Sequence, residues 1–265
     1  MLGVRKAATL SPETLDKLAS LQGDVDSAGA YDLRVAKAKS KWSSVKKDTG
    51  PWLEIKQSLT KMCWGHRRCA YCEDSVADEI EHVRPKDLYP EAVFVWENYL
   101  YACGPCNGPK GNRFAVVNAD GTYADVARKA GAAVVPPPLG DPALLDPRID
   151  DPLEYLVLDI RETFLFRPRP RIASDRKQRA QYTIELLNLN GRAYLVEGRR
   201  TAYETLVIAL ESARTRKQNG DPLDGPVRVV GNIPHRSVWE EMKRQASKIA
   251  PLASLFGAVP EAAQW

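Results

Sequence analysis

With 265 residues, 44% of them hydrophobic and 27% charged, the chain has the composition of a soluble globular protein rather than a disordered or fibrous one. No stretch approaches the roughly 20 apolar residues that span a bilayer, and MLGVRKAATLSPETL lacks the apolar segment of a secretion signal, so a cytoplasmic protein with no membrane partner is expected. The net charge of +4 and pI near 8.7 fit a polyanionic partner without requiring one, because many proteins with this balance bind no nucleic acid.

Leu10-Ser11-Pro12-Glu13 places a capping Ser before Pro, and Leu15, Leu18 and Leu21 then recur at helical spacing, which predicts a first short helix. A second helix is expected over Tyr31–Lys47. It carries Arg34, Lys37, Lys39, Lys41, Lys46 and Lys47 with no acidic residue between them and Trp42 in their midst. Such a run is most often a solvated helix face, with nucleic-acid contact as the minority reading. Pro51 opens a third helix with Ile55, Leu59 and Met62 on one face.

From Arg68 to Phe114 short apolar pieces alternate with Cys, Gly, Pro and Asn, the pattern of a compact knuckle. Phe114–Val117 and Tyr123–Val126 flank Asn118-Ala119-Asp120-Gly121, a hairpin turn. A Pro-rich connection over 136–152 holds the expected domain boundary, and Tyr155–Ile160 and Thr163–Phe166 read as strands. Helices follow at Arg176–Leu189, Ala193–Lys217 and Ser237–Ile249. The last has Ser237 and Glu240 at capping-box spacing and Pro251 as its stop.

Five cysteines, an odd number with two CxxC pairs among them, suit zinc in a reducing compartment better than a disulfide framework. Cys69-Ala70-Tyr71-Cys72 and Cys103-Gly104-Pro105-Cys106 supply the four thiolates of a closed tetrahedral site. A competing set, Cys63, His66, Cys69 and Cys72, would strand Cys103 and Cys106. Between and beside the pairs lie EHVRPK, with Glu81, His82, Arg84 and Lys86; WENYLYAC, with Asn98; and CGPCNGPKG, with Asn107 and Lys110.

These three segments resemble the HNH, or ββα-metal, endonuclease motif in its zinc-containing form, most strongly over residues 61–115. The resemblance implies His82 as general base, Asn98 as the loop-fixing Asn, and Asn107 in the place often held by a last His, an H-N-N variant. Glu81 stands where Asp or His is usual. More loosely, LLDPRIDDPLEYL, TIELLNLNGRAYL and the helix after them resemble the C-terminal portion of bacterial HNH proteins of the Septu defence type, which pair with an ATPase. No GxxxxGK[ST] phosphate loop is present, so any ATP dependence must come from another subunit.

The residue chemistry points the same way. Imidazole is mostly neutral near pH 7.5 and accepts a proton from water. The Glu81 carboxylate and the Asn107 carbonyl suit Mg²⁺ or Mn²⁺, and Arg84, Lys86 and Lys110 can contact phosphate. Each residue also has a plainer reading: His82 as a satisfied core histidine, Asn98 as a cap, Asn107 as a left-handed turn residue, the tyrosines and tryptophans as a small core. Arg167, Arg169 and Arg171, with Arg176, Lys177 and Arg179, could form a second phosphate-facing patch or a solvated one.

The expectation is therefore an α+β protein with four parts: a helical N-terminal region (1–60), a zinc-stabilised ββα-metal HNH core (61–115), a hairpin and Pro-rich connection (116–152), and a mainly helical C-terminal region (153–265). It would hydrolyse phosphodiesters, in DNA ahead of RNA, in bacterial anti-phage defence with an ATPase partner. The rival is a non-catalytic zinc module that binds nucleic acid or a protein, and an RNA-cleaving effector would share the same chemistry.

Overall fold

A computed structural model describes residues 1–6, 9–46, 48–118 and 121–265. The three N-terminal helices are α1 (Pro12–Asp26), α2 (Tyr31–Ser44) and α3 (Pro51–Met62). Ser11 caps α1 by accepting from the Thr14 N–H. Glu54 of α3 in turn accepts from the Ser11 amide and hydroxyl, both at 2.7 Å, and thereby ties the two helices at that cap. α2 ends at Ser44, short of the expected Lys47, which lies outside the described residues.

These helices bury Leu18, Leu21, Trp42, Trp52, Ile55 and Leu59 against Ile80, Tyr99 and Tyr101. Those three belong to a hairpin of β1 (Glu79–His82) and β2 (Tyr99–Ala102), antiparallel with Glu81 opposite Leu100 and His82 opposite Tyr99. A two-stranded hairpin is marginal by itself in water. Here the N-terminal helices cover one face, while Leu100 and Ala102 on the other join the larger core. The short helix α4 (Gly104–Lys110) follows directly, completing a β-β-α unit.

The expected second hairpin forms from β3 (Ala115–Val117) and β4 (Tyr123–Asp125), with β5 (Asp141–Pro142) pairing on the other edge of β3. Of its turn, Ala119 and Asp120 lie outside the described residues. β6 (Leu156–Leu158) and β7 (Phe166–Pro168) form a third small sheet, β7 starting where the expected strand ends. Its edges are closed by side chains. Glu241 accepts from the Leu158 N–H (3.3 Å), Gln245 donates to the Leu158 carbonyl (3.1 Å), and Asn190 bonds both the N–H and the C=O of Phe166. Unpaired strand edges invite foreign strands, and these are blocked.

The remainder is helical: α5 (Ser174–Leu186), α6 (Ala193–Asn219), α7 (Asp224–Asn232), α8 (Arg236–Gln245) and α9 (Ala250–Ala258). α7 and α9 were not expected, and Pro251 opens α9 instead of closing the helix before it, since Pro is tolerated in a first turn. Ser237 is likewise inside α8. Its N–H and hydroxyl go to the buried Glu73 carboxylate, at 3.1 and 2.5 Å, not to a capping partner. The larger core runs without interruption from Cys69 and Leu100 through Ala143, Leu144 and Leu145 to Leu206, Trp239 and Leu255. Among the described residues no helix is long and apolar enough to cross a membrane.

Candidate metal centre and polar cleft

The first cysteine pair occupies the turn before β1. The Cys69 N–H donates to the Ser75 carbonyl (3.0 Å) and the Ala70 N–H to the Tyr101 carbonyl of β2 (2.9 Å), which fastens the turn to the hairpin. The second pair opens α4, where the Cys103 carbonyl accepts from the N–H groups of Cys106 and Asn107. Together these turns bring the sulfurs of Cys69, Cys72, Cys103 and Cys106, all buried, within 4.8 Å of one another.

Four thiols so close cannot all ionise without a cation among them. Burial and the neighbouring sulfurs push Cys69 well up, while bonds from Cys103 and Cys106 pull Cys72 down. Four converging sulfurs are the donor set of a closed zinc site, and this cluster can hold one zinc ion. Cys63 instead donates to the Leu59 carbonyl inside the N-terminal core, and His66 is exposed, so the competing set is not assembled.

Alternation along β1 sends Ile80 and His82 toward the N-terminal helices and Glu79 and Glu81 toward α4. The His82 Nε2 lies 2.9 Å from the Val93 carbonyl. A carbonyl only accepts, so Nε2 carries a proton and donates it to Val93. Edge-on packing against Trp42 (4.3 Å between centroids) and Tyr99 (5.3 Å) fixes the ring plane.

Asn98 spends its side chain on the loop between the strands. Its Oδ1 accepts from the Arg84 N–H (2.8 Å), and its Nδ2 donates to the carbonyls of Arg84 (3.0 Å) and Ala92 (2.9 Å). Asn107, in the first turn of α4, donates through Nδ2 to Glu79 (2.6 Å), which leaves its carbonyl oxygen as the atom able to ligate a metal.

Lys110 does not reach the surface as a phosphate contact requires. It is fully buried, ion-paired with the Glu81 Oε1 and bonded to the His82 carbonyl (2.8 Å). Burial raises the Glu81 carboxyl above its usual range, and Lys110 pulls it partly back. Lys110→Met would leave Glu81 buried and uncompensated, a change worth about 3–5 kcal/mol. Because losing the cation raises the Glu81 pKa further, this loss should be larger at neutral pH than in acid. It should shrink as the pH falls and the carboxyl takes up a proton. Denaturant titrations at several pH values would measure it, and a loss that does not vary with pH would contradict the pairing.

Glu79, Glu81, His82, Lys86 and Asn107 line one polar cleft of about 370 Å³ with Trp42, Lys56 and Asp78. Arg84 points elsewhere. It is exposed, with its guanidinium 5.3 Å from the Tyr89 ring, in a separate groove with Tyr31 and Arg34. Trp42, Lys56 and Glu79 were not foreseen as site residues. Alternation from Glu81 could have flagged Glu79, but no local signal marks a lysine of α3 as a cleft residue.

The fold and site define a class: a mixed α+β protein in which the turn before a β-hairpin and the start of the helix after it bring together four buried cysteines, beside a cleft bearing His, Asn and carboxylates. No family model matches the chain. Over 62 residues it is 44% identical to the Septu protein PtuB of Bacillus thuringiensis, a stretch covering 22% of this chain and 23% of that protein. The similarity thus spans less than a quarter of that relative's length.

Proposed function

We propose that this chain is a metal-dependent endonuclease of the HNH type, acting in bacterial anti-phage defence with a partner ATPase. The observation that carries the reading is the meeting of His82, at the end of β1, with Asn107, in the first turn of α4, in one cleft beside the cysteine cluster. The partial likeness to a Septu protein supports the defence setting.

In this reading His82 accepts the proton of the attacking water at Nδ1, and Nε2–H stays bound to Val93 throughout. Glu81 Oε2 and the Asn107 carbonyl, with Glu79 beside them, are hard oxygen donors of the kind that hold Mg²⁺ or Mn²⁺. When bound, such an ion neutralises charge on the phosphoryl oxygens and on the leaving oxygen. Asn98 keeps the loop from drifting, and Lys110 serves inside the protein as the counter-charge of Glu81. The HNH resemblance implies 5′-phosphate and 3′-hydroxyl ends.

Lys86 and Lys56 supply the phosphate contacts at the cleft. Lys56 is held there by Asp48 (2.6 Å), an exposed partner that a phosphate can replace at small cost. Lys56→Ala should weaken nucleic-acid binding about equally across sequences and reduce the slope of log affinity against log salt by about 1. Titrations at three salt concentrations would show this, and an unchanged slope would remove Lys56 from the substrate path.

The direct test is cleavage of plasmid, single-stranded DNA and tRNA with Mg²⁺, Mn²⁺ or EDTA, alone and with a candidate ATPase. DNA should be cut ahead of tRNA, and EDTA should stop it. Binding without cutting under every metal would favour the non-catalytic zinc module. Co-purification should use the full chain, because a chain ending near Pro142 loses much of the core that covers the cysteine cluster.

A further inference from the structure

Arg192 lies at the turn between α5 and α6, within the segment TIELLNLNGRAYL and outside the cysteine and EHVRPK motifs, and all of its guanidinium nitrogens are engaged. Nη2 donates to the Cys106 sulfur (3.3 Å) and to the Leu187 carbonyl (2.8 Å). Nη1 donates to the Pro105 carbonyl (3.3 Å) and the Tyr194 hydroxyl (3.3 Å), and Nε to the Asn188 carbonyl (3.1 Å). One side chain therefore grips a cysteine of the cluster, the first turn of α4 and the end of α5. Asn107 is the residue after Cys106.

Four thiolates around one Zn²⁺ carry two excess negative charges. A guanidinium against one sulfur offsets part of that charge and fixes the direction of the sulfur's lone pairs. An arginine that merely closed the end of α5 would need only the Leu187 and Asn188 carbonyls, and a lysine could do as much. The planar fork reaching Cys106 and Pro105 as well is what a lysine cannot reproduce.

We propose that Arg192 is a positioning residue of the metal centre. It binds the Cys106 thiolate from outside the sulfur tetrahedron and so locks α4, with Asn107, to the α5–α6 junction. The C-terminal helical region thereby takes part in setting the geometry of the cleft. This inference rests on the four-thiolate reading of the cluster and not on nuclease activity.

The test replaces zinc by Co²⁺ in the full-length protein and reads the thiolate-to-cobalt charge-transfer absorption. The same samples give the rate of metal loss to a chelator. Removing a hydrogen bond to sulfur raises the energy of its lone pairs, so Arg192→Ala should move the band to longer wavelength. Metal loss should be about 10- to 100-fold faster, the range for loss of a partner of a metal ligand.

Arg192→Lys should fall between wild type and Arg192→Ala in both readouts. Should the alanine variant not fold, the lysine variant alone must still show the shift. Tyr194→Phe removes a contact of Arg192 that does not involve sulfur, at a half-exposed ring, and should leave the band in place. An unmoved band and wild-type release in the Arg192 variants, or an equal shift in Tyr194→Phe, would overturn the proposal. A wild-type protein with no charge-transfer band would instead remove the four-thiolate reading beneath it.

Discussion

His82→Ala should lose cleavage by on the order of 10²- to 10⁴-fold while folding, keeping its zinc and still binding nucleic acid, the range expected for a positioned general base. The physical reason is a separation of tasks within β1. His82 contributes its ring to the packing of Trp42 and Tyr99 and a hydrogen bond to Val93, but it does not belong to the cluster of four sulfurs. Removing it deletes a proton acceptor and leaves a small void beside Trp42, a modest loss of stability that thermal unfolding would register. Glu81→Ala and Asn107→Ala should behave differently. In the proposed mechanism they take oxygen donors from the hard-metal site, so part of their activity should return at higher Mn²⁺, a rescue absent for His82→Ala. Should purified His82→Ala cut as fast as wild type under saturating metal, with or without an ATPase partner, the mechanism fails and the binding-module reading takes its place.

Cys103→Ser should abolish stoichiometric zinc and destabilise the whole chain. Binding of structural zinc contributes apparent free energies of about 10–16 kcal/mol in small zinc modules, against a net stability of about 5–15 kcal/mol for an ordinary domain. Loss of one ligand of four therefore removes a sizeable part of what holds the fold. Cys72 and Cys103 are 31 positions apart in sequence and belong to one buried cluster inside the larger core. The damage should reach the C-terminal helices as well as the knuckle, with the melting temperature lowered by at least about 10 °C, since about 1 kcal/mol shifts it by a few degrees at this size. Metal analysis and calorimetry would measure both effects. Cys63→Ser is the control and should keep one zinc per chain, because its sulfur bonds the Leu59 carbonyl in the N-terminal core and does not belong to the four-sulfur cluster. Zinc retained in Cys103→Ser and lost in Cys63→Ser would reinstate the Cys63–His66 set.

Much of the local structure was legible in the sequence because local rules produced it. Ser11-Pro12, Gly50-Pro51 and the apolar spacing that follows each start α1 and α3 where expected. The four cysteines announce their own convergence, because two tight CxxC turns have few other uses. Where local signals misled, a distant partner had taken the group. Ser237 looked like a cap but is bound by Glu73, 164 positions away. Lys110 looked like a phosphate contact but is held inside by Glu81. Pro251 has the same chemistry at the end of one helix and in the first turn of the next, and only packing chose between them.

By itself, then, the sequence determined the helix starts, the cysteine cluster and the chemical types of His82, Glu81, Asn98 and Asn107, since each follows from residue identity and near spacing. Tertiary structure decided what surrounds them. It placed Trp42 and Lys56 of the N-terminal helices in the wall of the cleft, sent Arg84 into a different groove, and set Arg192 against Cys106. It also ran one core from the cysteine knuckle to α9 across the Pro-rich connection. A two-stranded hairpin and a seven-residue helix cannot bury enough apolar surface to stand alone. The flanking helices therefore have to supply the cover, and which of their side chains reach the site depends on packing between segments that no local pattern connects.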